Sequence, residues 1–279
     1  MSTNVPSYLP LRERVIANTL VIVLAILTLV PFLWFVVMSF KPSSEFFTGV
    51  EGLFFTPTLE NYEGLWTGRF STSIWNSIVT STVSTLLALL IGTPGAYALS
   101  RAAMRTERTF SLLILASRMA PPVAFAIPYF LVYRNLGLLD TRTGLIIVYL
   151  TFNLALVVWL MRNFFDGTPR ALEEAAWIDG ASLWKTFVLI VLPMSGPALV
   201  TTAMLCFLYS WNDFFFALTL TRNSAMTAPV EVVNFMNYEG WDWGKIAAGG
   251  TLIMAPVLLF SLLMRKYLVA GMTAGAVKG

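Results

Sequence analysis

Long uncharged apolar runs constrain this chain more than any other feature. Six runs of 19 to 25 residues each hold at most one charged side chain. A helix of that length, rising about 1.5 Å per residue, crosses a hydrocarbon core of about 30 Å. The sequence therefore predicts six transmembrane helices, over residues 17–40, 76–100, 109–133, 143–161, 196–220 and 246–264.

The composition agrees with an all-α integral membrane fold. The chain is 57% hydrophobic and 12% charged, whereas soluble domains are about one quarter charged. The alternating pattern of a membrane β-barrel is absent, and the runs exceed its strands of about 9–11 residues. The first run is longer than the apolar part of a signal peptide and no small-residue cleavage site closes it, so an uncleaved helix is predicted.

The distribution of Lys and Arg predicts the orientation. With the N-terminus inside, the cytoplasmic segments hold eleven of the 18 basic residues, the outer segments hold six, and Arg118 lies within a span. Positive residues accumulate on the cytoplasmic side of membrane proteins. The sequence therefore predicts that both termini are cytoplasmic, which also places the connection between the fourth and fifth spans in the cytoplasm.

Missing residue types exclude several chemistries. The chain has no histidine and a single cysteine, Cys206, inside an apolar run. The commonest general base and metal ligand is therefore absent, and an internal disulfide is impossible. The net charge of +3 includes no dense basic patch for nucleic acid. We expect this chain to bind no metal or cofactor itself.

One cytoplasmic segment gathers charge between two apolar spans. It reads EEAAWIDGASLWKTFVLIVLP from Glu173 to Pro193. Good helix formers with two early carboxylates predict a first helix over 172–179, and Gly180 can take the positive φ that ends it. A second helix is predicted to lead into the fifth span. Exposed tryptophans would be unfavourable in open cytosol, so the segment predicts a protein partner.

The spacing within this segment resembles the signature of ABC importer permeases. Three residues follow Glu-Ala-Ala before a glycine, and nine more precede Ile-x-Leu-Pro. The resemblance continues in GTPGAYALSR (92–101), NLGLLD (135–140), LEEAAWIDGAS (172–182) and WNDF (211–214). The ending GMTAGAVKG (271–279) is similar to the smaller permease subunit of maltose-type, binding-protein-dependent carbohydrate importers.

The resemblance implies a type I ABC importer permease fold in a bacterial inner membrane. It implies an N-terminal segment with the first helix and an outer loop (1–74), a permease core (75–266) that contains a cytoplasmic coupling loop (166–193), and a cytoplasmic tail (267–279). The implied partners are a second homologous permease, a dimeric cytoplasmic ATPase that holds ATP and Mg²⁺, an extracytoplasmic solute-binding protein, a carbohydrate and membrane lipid.

The resemblance also implies which residues couple to the ATPase. The coupling loop would sit in a groove of the ATPase, with Glu174 paired to a basic group and Gly180 permitting the turn. The full set implied for this contact is Glu173, Glu174, Ala175, Ala176, Asp179, Gly180, Ile190, Leu192 and Pro193. Tail residues Gly275, Lys278 and Gly279 are implied to lie against the ATPase.

Polar residues inside the spans are candidates for a substrate path. Charged groups at membrane depth usually face a cavity or a partner. The candidates are Arg118, Tyr149, Asn153, Ser210, Trp211, Asn212 and Asp213. The alternative is that they join helices by hydrogen bonds, as polar residues often do in membranes, and the sequence leaves both open.

Two other functional classes compete with the importer. An ion-coupled solute transporter would show inverted internal repeats, and none is visible. A membrane-embedded glycosyl transferase would need a catalytic carboxylate cluster, whereas the densest one here lies in the helical coupling segment. The nearest match to a nucleotide-binding glycine-rich loop, GWDWGK at 240–245, has the wrong spacing. ATP hydrolysis is therefore predicted to belong to a partner.

Overall fold

The computed structural model describes residues 10–48, 54–101, 114, 121–237 and 240–276, with side chains as far as 263. The chain divides into two compact units. The first contains Met1–Gly68 and Val232–Ile253, and the second contains Arg69–Glu231 and Met254–Gly279. The first compact unit thus contains residues 232–253 besides the N-terminal segment. The predicted division into 1–74, 75–266 and 267–279 stays a prediction.

Helices dominate the described residues. In chain order they are α1 (Leu11–Ser39), α2 (Glu60–Thr67), α3 (Phe70–Arg101), α4 (Pro122–Leu136), α5 (Arg142–Asp166), α6 (Ala171–Ile178), α7 (Leu183–Thr186), α8 (Leu192–Met194), α9 (Gly196–Trp211), α10 (Phe215–Leu220), α11 (Ala228–Glu231) and α12 (Trp243–Ala276). Short 3₁₀ turns cover Ser43–Glu45 and Val232–Phe235, and a π-helix covers Phe187–Val191. The described residues also include one small antiparallel pair, β1 (Met236–Asn237) with β2 (Gly240–Trp241), a minor addition to the predicted all-α fold.

The membrane class is confirmed by helix length and composition. Within the described residues, α1, α3, α5 and the Trp243–Leu263 part of α12 are each long and apolar enough to span a membrane. The pair Leu183–Met194 and Gly196–Trp211, bent by 75°, is also long and apolar enough to cross, and it counts as a fifth, broken span if the two helices are taken together. The predicted third span lies partly outside the described residues, and α4 covers its end. Within the described residues the structure thus supports four to five of the six predicted spans.

Helix α3 packs through small polar side chains. Its buried face carries a row of serines and threonines, among them Ser77, Ser81 and Ser84. Small residues let membrane helices approach closely, and their hydroxyls can bond to the backbone. At Gly92 the approach is so close that a Cβ would lie 2.8 Å from Val157 of α5. This packing fixes α3 against α5 and α9 in the second unit.

The prediction that the fifth span is one continuous helix over 196–220 was wrong. Helix α9 ends at Trp211, and α10 begins only at Phe215. The Asp213 carboxylate accepts the backbone N–H of Ala217 at 3.0 Å, and the Asn212 amide donates to the Leu208 carbonyl at 2.8 Å. Side chains that bond the local backbone compete with helix continuation, so this polar pair interrupts the apolar span.

The last helix is longer than predicted. It runs from Trp243 to Ala276, whereas the sequence placed its end at 264 and a separate tail at 267–279. Residues 267–276 contain no proline and several good helix formers, so no local signal stops the helix. Gly275 therefore lies within α12, and Lys278 and Gly279 lie outside the described residues.

Polar bonds organise the outer part of the first unit. The buried Asn61 amide donates to the carbonyl of Ser39 at 2.9 Å and to that of Lys41 at 2.8 Å. The Asp242 carboxylate accepts the Ser43 hydroxyl at 3.1 Å and pairs with Lys245 at 2.9 Å. These bonds explain why residues 232–253 belong to the same unit as the end of α1.

On the outer face of the second unit, Asp140 holds the loop that follows α10. Asp140 has a positive φ of 54°. Its carboxylate accepts backbone N–H groups from the four consecutive residues 222–225, at 2.9–3.2 Å. Burial alone would raise the pKa of Asp140, but these donors outweigh it and lower the pKa from 3.8 to about 2.

The lowered pKa predicts a pH-dependent contribution to stability. Because the folded pKa lies below the unfolded value, the contribution is complete above about pH 4 and is lost as pH falls through about 2. Asn tolerates positive φ, so Asp140→Asn removes the charge and keeps the backbone conformation. We expect this variant to lose about 1 kcal/mol at pH 7, given partial solvent screening. Thermal unfolding of the purified protein should show the loss shrink at pH 3, and an equal loss at both pH values would contradict the assignment.

Candidate functional site

The cytoplasmic segment forms the helix, turn and helix that its sequence predicts. Helix α6 ends in a turn where Gly180 adopts a φ of 81°. The Gly180 N–H donates to the Trp177 carbonyl at 3.0 Å, and the Ala181 N–H donates to the Ala176 carbonyl at 2.9 Å. This pair of bonds is the Schellman arrangement that closes helices at glycine. The Ser182 side chain then accepts a backbone N–H of α7.

A buried ion pair anchors α6 to the cytoplasmic end of α3. Glu173 is only 1% exposed, and its Oε1 lies 2.6 Å from Nη2 and 2.8 Å from Nε of Arg101. Its second oxygen, Oε2, accepts the Tyr97 hydroxyl at 2.6 Å. Both carboxylate oxygens are thus satisfied, as a buried charge requires.

The same arginine also joins α5 to this anchor. Arg101 Nη1 donates to the Phe165 carbonyl and to Ser100 Oγ, both at 3.0 Å. Ser100 in turn donates to Asp166 at 2.5 Å. The Tyr97 ring packs edge-on against Phe165, with ring centroids 5.6 Å apart. Helices α3, α5 and α6 therefore meet in one bonded cluster, which we call the anchor cluster (Tyr97, Ser100, Arg101, Phe165, Asp166 and Glu173).

The opposite face of α6 is exposed. Trp177 is 42% exposed and Ile178 is 86% exposed, while Leu183 and Trp184 of α7 are exposed by about two thirds. Glu174 and Asp179 lie exposed beside this apolar surface. Apolar side chains next to free carboxylates mark a surface that another protein can cover.

The structure separates the predicted coupling residues into three groups. Glu173 and Ala176 face inward and are buried, so Glu173 is an internal anchor, whereas the sequence placed it in the partner contact. Glu174, Ala175, Asp179 and Gly180 are exposed together on or beside α6. Ile190, Leu192 and Pro193 lie beyond α7, in the π-helix and α8. Sequence analysis missed the role of Tyr97 and Arg101, although it noted their stretch within the resemblance.

A cavity of about 570 Å³ lies where the helix is interrupted between Trp211 and Phe215. Polar Asn212 and Asp213 line it together with Tyr209 and Phe214, and Leu205, Leu208 and Phe215 complete the wall. The Asp213 Oδ2 accepts the hydroxyl of buried Tyr149 at 2.9 Å. Its Oδ1 receives only a long backbone bond of 3.5 Å from Phe216, so this oxygen retains capacity for a ligand.

The other predicted substrate residues lie elsewhere. The Asn153 amide donates to Ser210 at 2.8 Å in the buried contact between α5 and α9. Trp211 is 2% exposed and stacks on Phe207. Asn153 and Ser210 thus join two helices, which is one of the alternatives that the sequence left open, whereas Trp211 stacks on a residue of its own helix α9. Arg118 lies outside the described residues. Sequence analysis missed Tyr209 and Leu205, whose helical spacing from Asn212 was the available signal.

The two adjacent glutamates allow a matched test of the anchor cluster. Glu173→Gln leaves the Arg101 charge buried without its carboxylate, so we expect a loss of about 3 kcal/mol in the free energy of unfolding. Glu174→Gln changes an exposed side chain and should cost less than about 0.5 kcal/mol. Denaturant unfolding of the purified variants measures both losses. Equal losses would show that Glu173 does not anchor α6.

Comparison with known proteins shows the family of this chain. Residues 92–274 match the family model described as "Binding-protein-dependent transport system inner membrane component". The trehalose transport system permease protein SugB of Mycobacterium tuberculosis is 38% identical over 268 residues, covering 95% of this chain and 96% of that protein. The trehalose/maltose transport system permease protein MalG of Thermococcus litoralis is 35% identical over 278 residues, covering 96% and 100%.

A solved structure shares the fold. A chain of a bacterial ABC transporter involved in the import of the acidic polysaccharide alginate aligns with a TM-score of 0.77 and 27% identity. The alignment covers 94% of this chain and 99% of that one. The match confirms the predicted ABC importer permease fold. The protein therefore belongs to the family of inner membrane components of binding-protein-dependent transport systems.

Proposed function

We propose that this chain is one of two permease subunits of an ATP-driven importer that receives a carbohydrate from an extracytoplasmic solute-binding protein. Its relatives carry the names of trehalose, trehalose/maltose and diacetylchitobiose permeases, which supports a carbohydrate cargo. The observation that carries the proposal is the arrangement of α6: one face is exposed, acidic and apolar, and the opposite face is anchored by a buried ion pair.

The exposed face of α6 suits a groove on a dimeric cytoplasmic ATPase. Glu174 and Asp179 would pair with basic groups there, and Trp177 and Ile178 would fill an apolar surface. ATP and Mg²⁺ would be held by the ATPase subunits and not by this chain. The tail residues Gly275, Lys278 and Gly279 are proposed as a further contact with the ATPase.

The anchor cluster explains how docking could move the permease. A coupling contact must bind one conformational state better than the other, or it transmits nothing. Because Glu173 and Arg101 tie α6 to α3, a force applied to α6 reaches α3 and α5 directly. The fifth span contains a π-helix, two prolines and the 75° bend, features that often mark hinges. We propose that the span flexes there.

The first test changes the docking face alone. Removing the Glu174 charge eliminates a charge-assisted contact of about 1.5–3 kcal/mol, so Glu174→Gln should lower solute uptake by reconstituted importer at least about tenfold. Glu63→Gln, an exposed carboxylate of the outer segment, is the matched control and should transport normally. Full uptake by Glu174→Gln, or uptake without any ATPase subunit, would contradict the proposal.

The turn after α6 provides a second, conformational test. A Cβ at Gly180 would meet no atom within 4 Å. The cost of a substitution there therefore comes from the positive φ and not from a steric clash. Gly180→Ala should therefore weaken coupling through a strain of about 1–2 kcal/mol, and Gly180→Asn should recover part of the uptake because Asn tolerates this conformation. Uptake assays on both variants decide the point, and identical loss in both would show that backbone strain is not the cause.

We further propose that the cavity at Asn212 and Asp213 contacts the carbohydrate during passage. Its volume lies in the range of small-molecule sites, about 300–1,000 Å³, and amide, carboxyl and phenol groups can bond sugar hydroxyls. Tyr209 and Phe214 offer apolar ring faces. Arg118 remains a predicted member of the path.

Substitutions in the cavity test this contact. Losing one neutral hydrogen bond of about 0.5–1.5 kcal/mol predicts that Asn212→Ala raises the KM for uptake by about three- to tenfold. Trehalose and maltose are the first solutes to assay. Stimulation of ATP hydrolysis by the binding protein should persist, because the coupling face is unchanged. Ser261→Ala, a hydroxyl that bonds only its own helix, is the control. An unchanged KM would remove the cavity from the path.

A further inference from the structure

The outer connections of the second unit carry unexpected positive charge. Short outer segments of membrane proteins are normally poor in Lys and Arg. Here Arg69 precedes α3, Arg142 begins α5, and Arg222 follows α10, and all three are exposed. Arg69 bonds Asn223, and Arg142 is linked through Asn76 to Ser224, so both side chains reach the loop that carries Arg222. We call these three residues the outer arginine cluster (Arg69, Arg142 and Arg222).

Neutral groups hold two of these arginines in place. Arg69 Nη2 donates to the Asn223 carbonyl at 2.8 Å and to the Asn223 side-chain oxygen at 3.2 Å. Arg142 Nε donates to the Asn76 amide oxygen at 2.7 Å, and the Asn76 amide donates to the Ser224 carbonyl at 3.0 Å. The guanidinium groups are thus positioned without being neutralised.

The neighbouring acid does not cancel this charge through a side-chain ion pair. The Asp140 carboxylate is occupied by the backbone N–H groups of 222–225. The ion pairs Arg101–Glu173 and Arg162–Asp166 of the second unit lie at its cytoplasmic end, away from these arginines. The three guanidinium groups of the outer arginine cluster outnumber the single carboxylate of Asp140, so the cluster presents net positive charge beside a loop that Asp140 holds in place.

We infer that the outer arginine cluster is an electrostatic docking site for an acidic surface of the solute-binding protein. The inference rests on the proposed function, because it names the surface that the partner would use. Guanidinium groups bind carboxylates through paired hydrogen bonds, and groups already held in position lose less entropy on binding. A folded partner with fixed carboxylates matches this rigid arrangement better than a mobile lipid headgroup does.

Arg222 gives the cleanest test. The Arg222 backbone N–H donates to Asp140, whereas Arg69 and Arg142 use their side chains to bond neighbouring groups. Arg222→Glu therefore reverses one charge and leaves the loop bonds intact. The assay is the Kd of the importer complex in nanodiscs for the solute-binding protein that stimulates the wild-type ATPase activity. Arg222→Lys and Arg222→Gln are the matched variants.

At 0.1 M salt, Arg222→Glu should raise the Kd about tenfold and Arg222→Gln about threefold, while Arg222→Lys should stay within about twofold. At 1 M salt, where the screening length falls to about 3 Å, the differences should nearly vanish. An unchanged Kd for Arg222→Glu at low salt would overturn the inference. So would a shift that disappears in nanodiscs without anionic lipid, because it would assign the cluster to lipid headgroups.

The same assay separates this inference from the proposed function. If the wild-type complex is stimulated by a solute-binding protein but Arg222→Glu binds that protein equally well, only the docking site is wrong. If no solute-binding protein stimulates the wild-type complex, the proposed function itself is contradicted, and so is the docking site that depends on it.

Discussion

The buried ion pair between Arg101 and Glu173 is the interaction on which the cytoplasmic architecture depends. It closes a contact between residues 72 positions apart and brings the ends of α3 and α5 to the base of α6. A charge this deeply buried is stable only with its partner and its hydrogen bonds in place. Tyr97 and the Phe165 carbonyl provide those bonds. The pair therefore fixes which face of α6 points inward and which face, with Glu174, remains for a partner.

Sequence alone predicted the parts of the fold that follow from local physics. Apolar run length gave the spans, and Gly180 gave the turn because its positive φ is a property of the backbone. The break after Trp211 was not predicted, since the run stays apolar on average and the interruption depends on Asn212 and Asp213 bonding the backbone of the same segment. The extension of α12 was missed because the predicted end came from charge, which does not terminate a helix.

The role of a site residue depends on its partners in the folded chain, which the sequence does not show. The residues themselves could therefore be identified more easily than their roles. Glu173 and Glu174 are adjacent residues of the same type, so the sequence does not show which one is buried. The position of Arg101 in the fold makes Glu173 the anchor and leaves Glu174 exposed. In the sequence, Asn153 and Ser210 are polar residues within apolar spans, as Asn212 and Asp213 are. In the structure, Asn153 and Ser210 form a hydrogen bond between two helices. Asp140 finds its donors more than 80 residues away, a distance at which no local pattern predicts a contact. The outer arginine cluster depends on that same long-range bond.

The central claim is that α6 and α3 move as one body when the partner ATPase closes. Spin labels at Ile178 on α6 and Leu90 on α3, both largely exposed, would report the distance between the two helices in the assembled importer. The account predicts the same distance distribution in the nucleotide-free state and with ATP trapped by vanadate, and a broadened one in Glu173→Gln. A shift of the distance between the two states in the wild-type importer would contradict the rigid link.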